Sequence, residues 1–205
     1  MARVTLTFDN GPTPGVTERV LDMLAAAGVA ATFFVVADRL RNPAARALAE
    51  RAVAEGHRVG NHTLTHTVPL GELEQHGQLT SVWREIDDAQ HLLGDLAPER
   101  YFRPYGAGGV LDDRLLGPQG LAHLTDGGYQ VITWNCVPRD WIDPVGWVDV
   151  AMAAVASQPW SVVVLHDVKV GALDRLPDFL ERLTAAGVEI RTDFPADVRL
   201  VTLPV

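Results

Sequence analysis

Short apolar segments rich in β-branched residues alternate with longer amphipathic segments along the whole chain. The first strand is predicted at 4–8 (VTLTF) and the first helix at 17–27, where Thr17 suits an N-cap and Gly28 a C-cap. Further strands are predicted at 31–37, 57–63, 101–104, 129–135, 161–167 and 188–192, and further helices at 43–55, 72–93, 112–125, 146–157 and 173–186. This alternation predicts an α/β fold with a mostly parallel sheet.

Roughly seven β/α units favour a small barrel, and a doubly wound open sheet is the alternative that the pattern alone leaves open. In both architectures, catalytic groups lie at the C-terminal ends of the strands. Polar residues follow nearly every predicted strand: Asp9, Asn10, Asp38, His62, His66, Arg103, Tyr105, Asn135, Asp140, Trp141, His166 and Asp167. No repeat or linker divides the chain, so we expect one domain over residues 1–205.

The charge balance narrows the range of ligands. Asp and Glu number 26 against 17 Lys and Arg, which gives a formal net charge of −9. This charge argues against nucleic acid, anionic membranes and polyanionic substrates, and favours neutral or cationic ligands. No apolar run approaches the length of a membrane span and no signal peptide precedes the first strand, so we expect a cytoplasmic protein. The sequence does not predict an oligomeric state.

Cysteine content excludes two further classes of site. Cys136 is the single cysteine, which excludes an internal disulfide and any multi-cysteine metal centre. Its neighbours Trp134 and Val137 favour a small buried residue over a nucleophile.

Three groups of polar residues could carry chemistry. His62 and His66 are four residues apart, so on a helix both imidazoles would project from one face and could bind one cation, with an oxygen of Asp9 or Asn10 as a further ligand. His166 ends a very apolar strand, where an imidazole could transfer protons near neutral pH. A buried Arg103 would need a carboxylate partner, which we predict to be Asp140.

Five short motifs occur in a fixed order: TFDNGP, HTLTH, FRPYG, RDW and VLHD. Together they cover most of the chain, and the ordered set resembles the polysaccharide deacetylases of the NodB homology type, carbohydrate esterase family 4. The resemblance implies a distorted (β/α)7–8 barrel that hydrolyses N-acetyl groups with a divalent metal, zinc, cobalt or nickel. The substrate it implies is an N-acetylated sugar or a small N-acyl compound.

The resemblance also implies a role for each matching residue. Asp9 would be the general base, His166 the general acid, and Arg103 with Asp140 the pair that orients and tunes the base. The metal ligands would be Asn10, His62 and His66. Tyr105 would offer a backbone N–H to the oxyanion, and Trp141 and Leu165 would form the wall of the acyl pocket.

The chain departs from the family pattern at two places: FRPYG stands where the family usually has RPPYG, and Asn10 stands where the family's TFDDGP has a second acid. A neutral amide binds a cation more weakly than a carboxylate does. Three outcomes follow: a metal held weakly, Asp9 acting as ligand instead of base, or a site that works without metal. The functional alternatives are therefore a metal-independent hydrolase of a cyclic or other small amide, and a catalytically silent carbohydrate-binding relative.

Overall fold

The structure is a computed structural model that describes residues 1–200. In this part of the chain, seven parallel strands form one curled sheet. The strands are β1 Arg3–Asp9, β2 Thr32–Val35, β3 Arg58–Asn61, β4 Tyr101–Phe102, β5 Gln130–Val131, β6 Trp160–His166 and β7 Glu189–Arg191. The helices are α1 Thr17–Ala27, α2 Pro43–Ala54, α3 Leu70–Gln75, α4 Leu79–Leu93, α5 Pro118–Asp126, α6 Trp147–Ser157 and α7 Leu176–Ala185.

The order of the strands gives the sheet a nearly closed shape. They follow one another as β5-β4-β3-β2-β1-β6, and β7 pairs with the N-terminal half of β1. The segment after β5 then bridges to β6 at Cys136 and Val163, which joins the two ends of the sheet. The predicted distorted barrel is confirmed, and the open doubly wound sheet is not the architecture of this chain.

Alternation along β1 explains how the barrel presents its first acid. Val4, Leu6 and Phe8 are fully buried in the largest apolar cluster, together with residues of the surrounding helices. Thr7 and Asp9 therefore face the opposite side of the sheet, since successive strand residues point to opposite faces. The last residue of β1 thus carries its carboxylate into the mouth of the barrel.

Several predicted boundaries were wrong. The single helix predicted at 72–93 is two helices, α3 and α4, because the chain turns at Gly77 with a φ of 71° that favours glycine. The helix predicted from 112 begins only at Pro118, where proline fits the first turn. The strand predicted at 31–37 ends at Val35, because a short 3₁₀ helix occupies Ala37–Arg41.

Helix length bears on membrane association. The longest described helix, α4, has 15 residues, whereas a span needs about 20. None of the helices in the described part of the chain is long and apolar enough to cross a membrane.

Candidate active site

A cavity of about 330 Å³ opens at the C-terminal ends of the strands, where the rule for parallel sheets places the chemistry. The structure brings together seven of the ten residues predicted for the site as lining residues: Asp9, Asn10, His62, His66, Tyr105, Trp141 and His166. Arg103 and Asp140 lie directly behind this lining and contact it. Leu165 does not reach the cavity.

Asp9 is held by a buried ion pair with Arg103. Asp9 is 3% exposed and Arg103 is fully buried, and the guanidinium Nη1 donates to Asp9 Oδ1 at 2.8 Å. The other guanidinium hydrogen bonds go to the hydroxyl of Thr7 and the carbonyls of Ile132 and Thr133. The hydrogen bonds of the buried guanidinium are therefore satisfied on every side, and they hold the carboxylate of Asp9 in place at the cavity floor.

The predicted partner of Arg103 was wrong. Asp140 is fully buried and binds His166 instead. The guanidinium of Arg103 pairs with Asp9 because the end of β1, and not the loop after β5 that carries Asp140, brings a carboxylate to it. Asp140 Oδ1 lies 2.8 Å from Nδ1 of His166, and its Oδ2 accepts from the backbone N–H of His166 at 2.9 Å. The carboxylate thus orients the imidazole through two hydrogen bonds.

His166 is tuned toward its charged form. Burial lowers the pKa of His166, but the hydrogen bond and the negative charge of Asp140 outweigh burial, so the net pKa is raised. The rings of Trp141 and His166 pack edge to face, with their centroids 4.7 Å apart. A histidine with a raised pKa keeps its proton to higher pH and can donate it to a leaving group in the cavity.

The predicted strand 57–63 ends at Asn61, and His62 and His66 lie in the loop that follows it, so their proximity does not depend on the helical spacing considered for them. The loop is shaped by side-chain hydrogen bonds: Asn61 Oδ1 accepts from Thr63 N at 2.9 Å, and Thr63 Oγ1 accepts from His66 N at 3.1 Å. Thr63 and His66 both adopt positive φ, 66° and 55°. The two imidazoles nevertheless lie side by side, with ring centroids 4.6 Å apart.

Both imidazoles are neutral at physiological pH. Burial lowers the pKa of His62 and of His66 to about 3. Nδ1 of His62 lies 2.8 Å from the carbonyl oxygen of Arg103, which can only accept, so this nitrogen carries the proton. Nε2 of His62 therefore presents a lone pair toward the cavity, 3.7 Å from Asp9 Oδ2.

Asn10 adds a third potential ligand atom. Its Oδ1 is buried without a hydrogen-bond partner, and its backbone has a φ of 74°, a region that asparagine tolerates better than most residues. Within residues 1–200, no three His, Cys, Asp or Glu side chains form a group that could hold a metal ion. An unpaired amide oxygen beside two neutral imidazoles fits the donor set of a zinc-like cation, with one neutral oxygen where a carboxylate is usual.

Gly11, the residue after Asn10, packs against Asp167, a buried acid that the sequence analysis named only as a polar residue at a strand end. A Cβ on Gly11 would lie 2.0 Å from an oxygen of Asp167, so only glycine fits there. Asp167 is fully buried and accepts from Thr17 Oγ1 at 2.5 Å, while its Oδ1 has no partner. Burial raises the pKa of Asp167 to about 7.

The acyl side of the cavity differs from the predicted wall. Leu165 lies in the apolar core, and its neighbours Val164 and Val168 line the cavity instead. Period-two alternation along β6 accounts for this, because Val164 shares the face of His166 and Leu165 points away. The same alternation, applied to 161–167, could have identified Val164 from the sequence.

An indole that the sequence did not assign forms the opposite wall. Trp134 donates from Nε1 to the carbonyl of Gly109 at 3.0 Å, and a Cβ on Gly106 would lie 2.1 Å from its ring. The glycine run after FRPY therefore lets this loop approach the indole closely. Tyr105 completes the rim, with its ring 4.0 Å from that of His66.

Of the other polar strand ends, Asn135 has a structural role and Asp38 lies outside this cavity. The amide of Asn135 bonds to the backbone at Trp160 and Val162, and Asp38 is exposed and paired with Arg41.

Cys136 is buried as predicted, and burial raises the pKa of its thiol to about 12. A thiol that stays protonated is a poor nucleophile, which agrees with a packing role.

The chain is similar to known proteins over most of its length. A family model described as polysaccharide deacetylase matches residues 2–117. The chitooligosaccharide deacetylase of Sinorhizobium fredii is 37% identical over 172 residues, which cover 80% of this chain and 71% of the relative. The peptidoglycan-N-acetylglucosamine deacetylase of Bacillus cereus is 30% identical over 168 residues, which cover 80% of this chain and 72% of the relative.

The fold has solved counterparts of nearly the same extent. The family 4 carbohydrate esterase from Streptomyces lividans, in complex with acetate, superposes with a TM-score of 0.75 at 26% identity and covers 99% of this chain and 98% of that one. The peptidoglycan deacetylase PdaC from Bacillus subtilis superposes with a TM-score of 0.73 at 27% identity, covering 93% and 87%. The chain therefore belongs to the polysaccharide deacetylase family, carbohydrate esterase family 4, whose named relatives here are deacetylases that hydrolyse C–N bonds.

Proposed function

We propose that this protein removes the acetyl group from an N-acetylated sugar, with Asp9 as general base and His166 as general acid. The observation that carries the proposal is the pair of buried charge partners on one cavity, Asp9 with Arg103 and His166 with Asp140. Amide hydrolysis needs a base for the attacking water and an acid for the departing amine. The two pairs provide one group of each kind.

The base is prepared by the surroundings of Asp9. Arg103 occupies Oδ1, which leaves Oδ2 directed toward His62 and the cavity. A water molecule bound between Oδ2 and the acyl carbon would lose its proton to this oxygen. Because the guanidinium is locked by other hydrogen bonds, the carboxylate keeps its orientation while it accepts the proton.

The acid acts from the other side of the cavity. Asp140 binds Nδ1 of His166, so Nε2 is the nitrogen that can donate its proton to the amine as the C–N bond breaks. For the negative oxygen of the intermediate, the backbone N–H of Tyr105 at the rim remains the proposed donor. Trp134, Trp141 and Val164 line the same cavity and would exclude water around the acetyl methyl.

A divalent cation, zinc, cobalt or nickel, is proposed to bind Asn10, His62 and His66. When bound, such an ion acts as a Lewis acid on the acyl oxygen and lowers the pKa of its water. The unpaired Oδ1 of Asn10 and the two neutral imidazoles support this ligand set. Metal analysis of protein purified without chelator tests it, and a metal-free preparation with full activity would favour the metal-independent alternative.

Acetate release from N-acetylated chitooligosaccharides tests the reaction itself. We expect Asp9→Asn and His166→Ala each to reduce kcat by at least about a hundredfold, since each removes a proton-transfer group. Asp88→Asn and His91→Ala, exposed positions on α4, are the matched controls and should keep full activity. Unchanged acetate release from either site variant would refute the assigned roles.

A further inference from the structure

A second cavity adjoins the proposed catalytic one. Its volume is about 380 Å³, and it shares Asn10, His66 and Val168 with the first cavity. Its other lining residues include Asp38, Arg39 and Thr65. A ligand bound in the first cavity could therefore extend into the second past the Asn10 and His66 side chains.

Arg39 is the uncompensated charge in this second cavity. Its neighbour Asp38 already forms an ion pair with Arg41, which removes the one acidic side chain of the lining from competition. Among the described residues, Arg39 takes part in no salt bridge and no side-chain hydrogen bond, whereas Arg19, Arg41 and Arg51 are each paired with an aspartate. An exposed guanidinium whose N–H groups have no partner, in a concave polar site, can bind a carboxylate through two hydrogen bonds.

The charge of Arg39 also reaches the buried side of the site. Burial raises the pKa of Asp167, and the positive charge of Arg39 acts against this rise. Arg39 lines the second cavity together with Asn10 and His66, the residues through which the two cavities connect.

We propose that the second cavity is a substrate subsite in which Arg39 binds a carboxylate carried by the N-acylated sugar next to the one that reacts. This inference rests on the proposed deacetylation and names the class of substrate. The overall charge of −9 disfavours a polyanion, but a single carboxylate per repeat, held by a local guanidinium, is compatible with it.

A pair of probes that differ only in the charge of their carboxylates tests the subsite. The acid probe is a tetrasaccharide of alternating N-acetylglucosamine and N-acetylmuramic acid, and the neutral probe is the same tetrasaccharide with its carboxylates methyl-esterified. We expect the wild type to favour the acid over the ester by about tenfold in kcat/KM, through KM, as one charge-assisted hydrogen bond implies. In Arg39→Gln the acid-to-ester ratio should fall to near one, with Arg39→Lys in between.

Arg84→Gln is the matched control, an exposed arginine on α4 that lines neither cavity, and its ratio should match the wild type. An unchanged ratio in Arg39→Gln would overturn the subsite. If the wild type turns over neither probe and releases no acetate from N-acetylated chitooligosaccharides, the deacetylation proposal fails. Calorimetric Kd values for the two probes then decide the subsite separately, because equal values in the wild type and in Arg39→Gln overturn it.

Discussion

The buried acid Asp167 makes the stability of the fold depend on pH in a direction opposite to most acidic residues. Its pKa is raised to about 7 in the folded state, against about 3.9 in an unfolded chain. Between these values the folded state binds a proton that the unfolded state has lost, so stability is highest below the lower value and falls as pH rises toward the upper one. The full loss is about 4 kcal/mol, from 1.36 kcal/mol for each of roughly three pH units.

Asp167→Asn removes this dependence, because an amide does not titrate in this range. We expect the difference in unfolding free energy between the variant and the wild type to shift by about 3 kcal/mol in favour of the variant between about pH 5 and about pH 8. Urea denaturation at several pH values measures it. Any fixed penalty for burying the amide N–H groups offsets the whole curve and leaves its slope unchanged.

The comparison cancels the other titrating groups. His57, His62 and His66 have lowered pKa values, so their contribution to stability is lost as pH falls, in the wild type and the variant alike. Asp88→Asn, an exposed change of the same chemistry on α4, should give a curve parallel to the wild type. Parallel curves for Asp167→Asn would refute the reasoning and mean that the fold compensates the buried charge.

Three further changes probe the site. Asp140→Asn removes the anion that raises the pKa of His166, so the alkaline limb of the pH–rate profile should move to lower pH; an unmoved limb would exclude His166 as the acid. Asn10→Asp should raise divalent-metal affinity about tenfold or more by calorimetry, and unchanged affinity would mean that position 10 does not face the ion. Gly106→Ala puts a methyl 2.1 Å from the Trp134 ring and should lower the unfolding free energy by about 1–3 kcal/mol in urea titrations, whereas an unchanged midpoint would show that the loop relaxes freely.

The architecture and the residues at the strand ends could be predicted from the sequence because both depend on local pattern. Strand and helix periods identify β1 and β6, and the end of each strand is where its polar residue stands. The same rule brought His62, His66 and His166 to one cavity without knowledge of their loops.

The partners of these residues could not be predicted in the same way. Arg103 pairs with Asp9, 94 positions away along the chain. Strands β2 and β3 lie between their two strands, and the curvature of the sheet brings the side chains together across the barrel. No local sequence pattern predicts this curvature. Asp140 seemed the nearer acid along the chain and binds His166 instead. The division of a predicted helix at Gly77 was likewise missed, since a single glycine is compatible with a weak helix as well as with a turn.

Arg103 connects two functions through one residue. Its side chain holds Asp9, and its main-chain carbonyl fixes the proton of His62 on Nδ1. The distance between Asp9, the proposed base, and His62, the proposed cation ligand, is therefore set by the length of the Arg103 side chain. Thermal motion of the surrounding loops hardly alters this length. The two functions are also genetically separable, because any substitution at this position keeps the carbonyl and discards the guanidinium. A substitution of Arg103 should therefore abolish the proposed catalysis and leave the proposed metal binding in place.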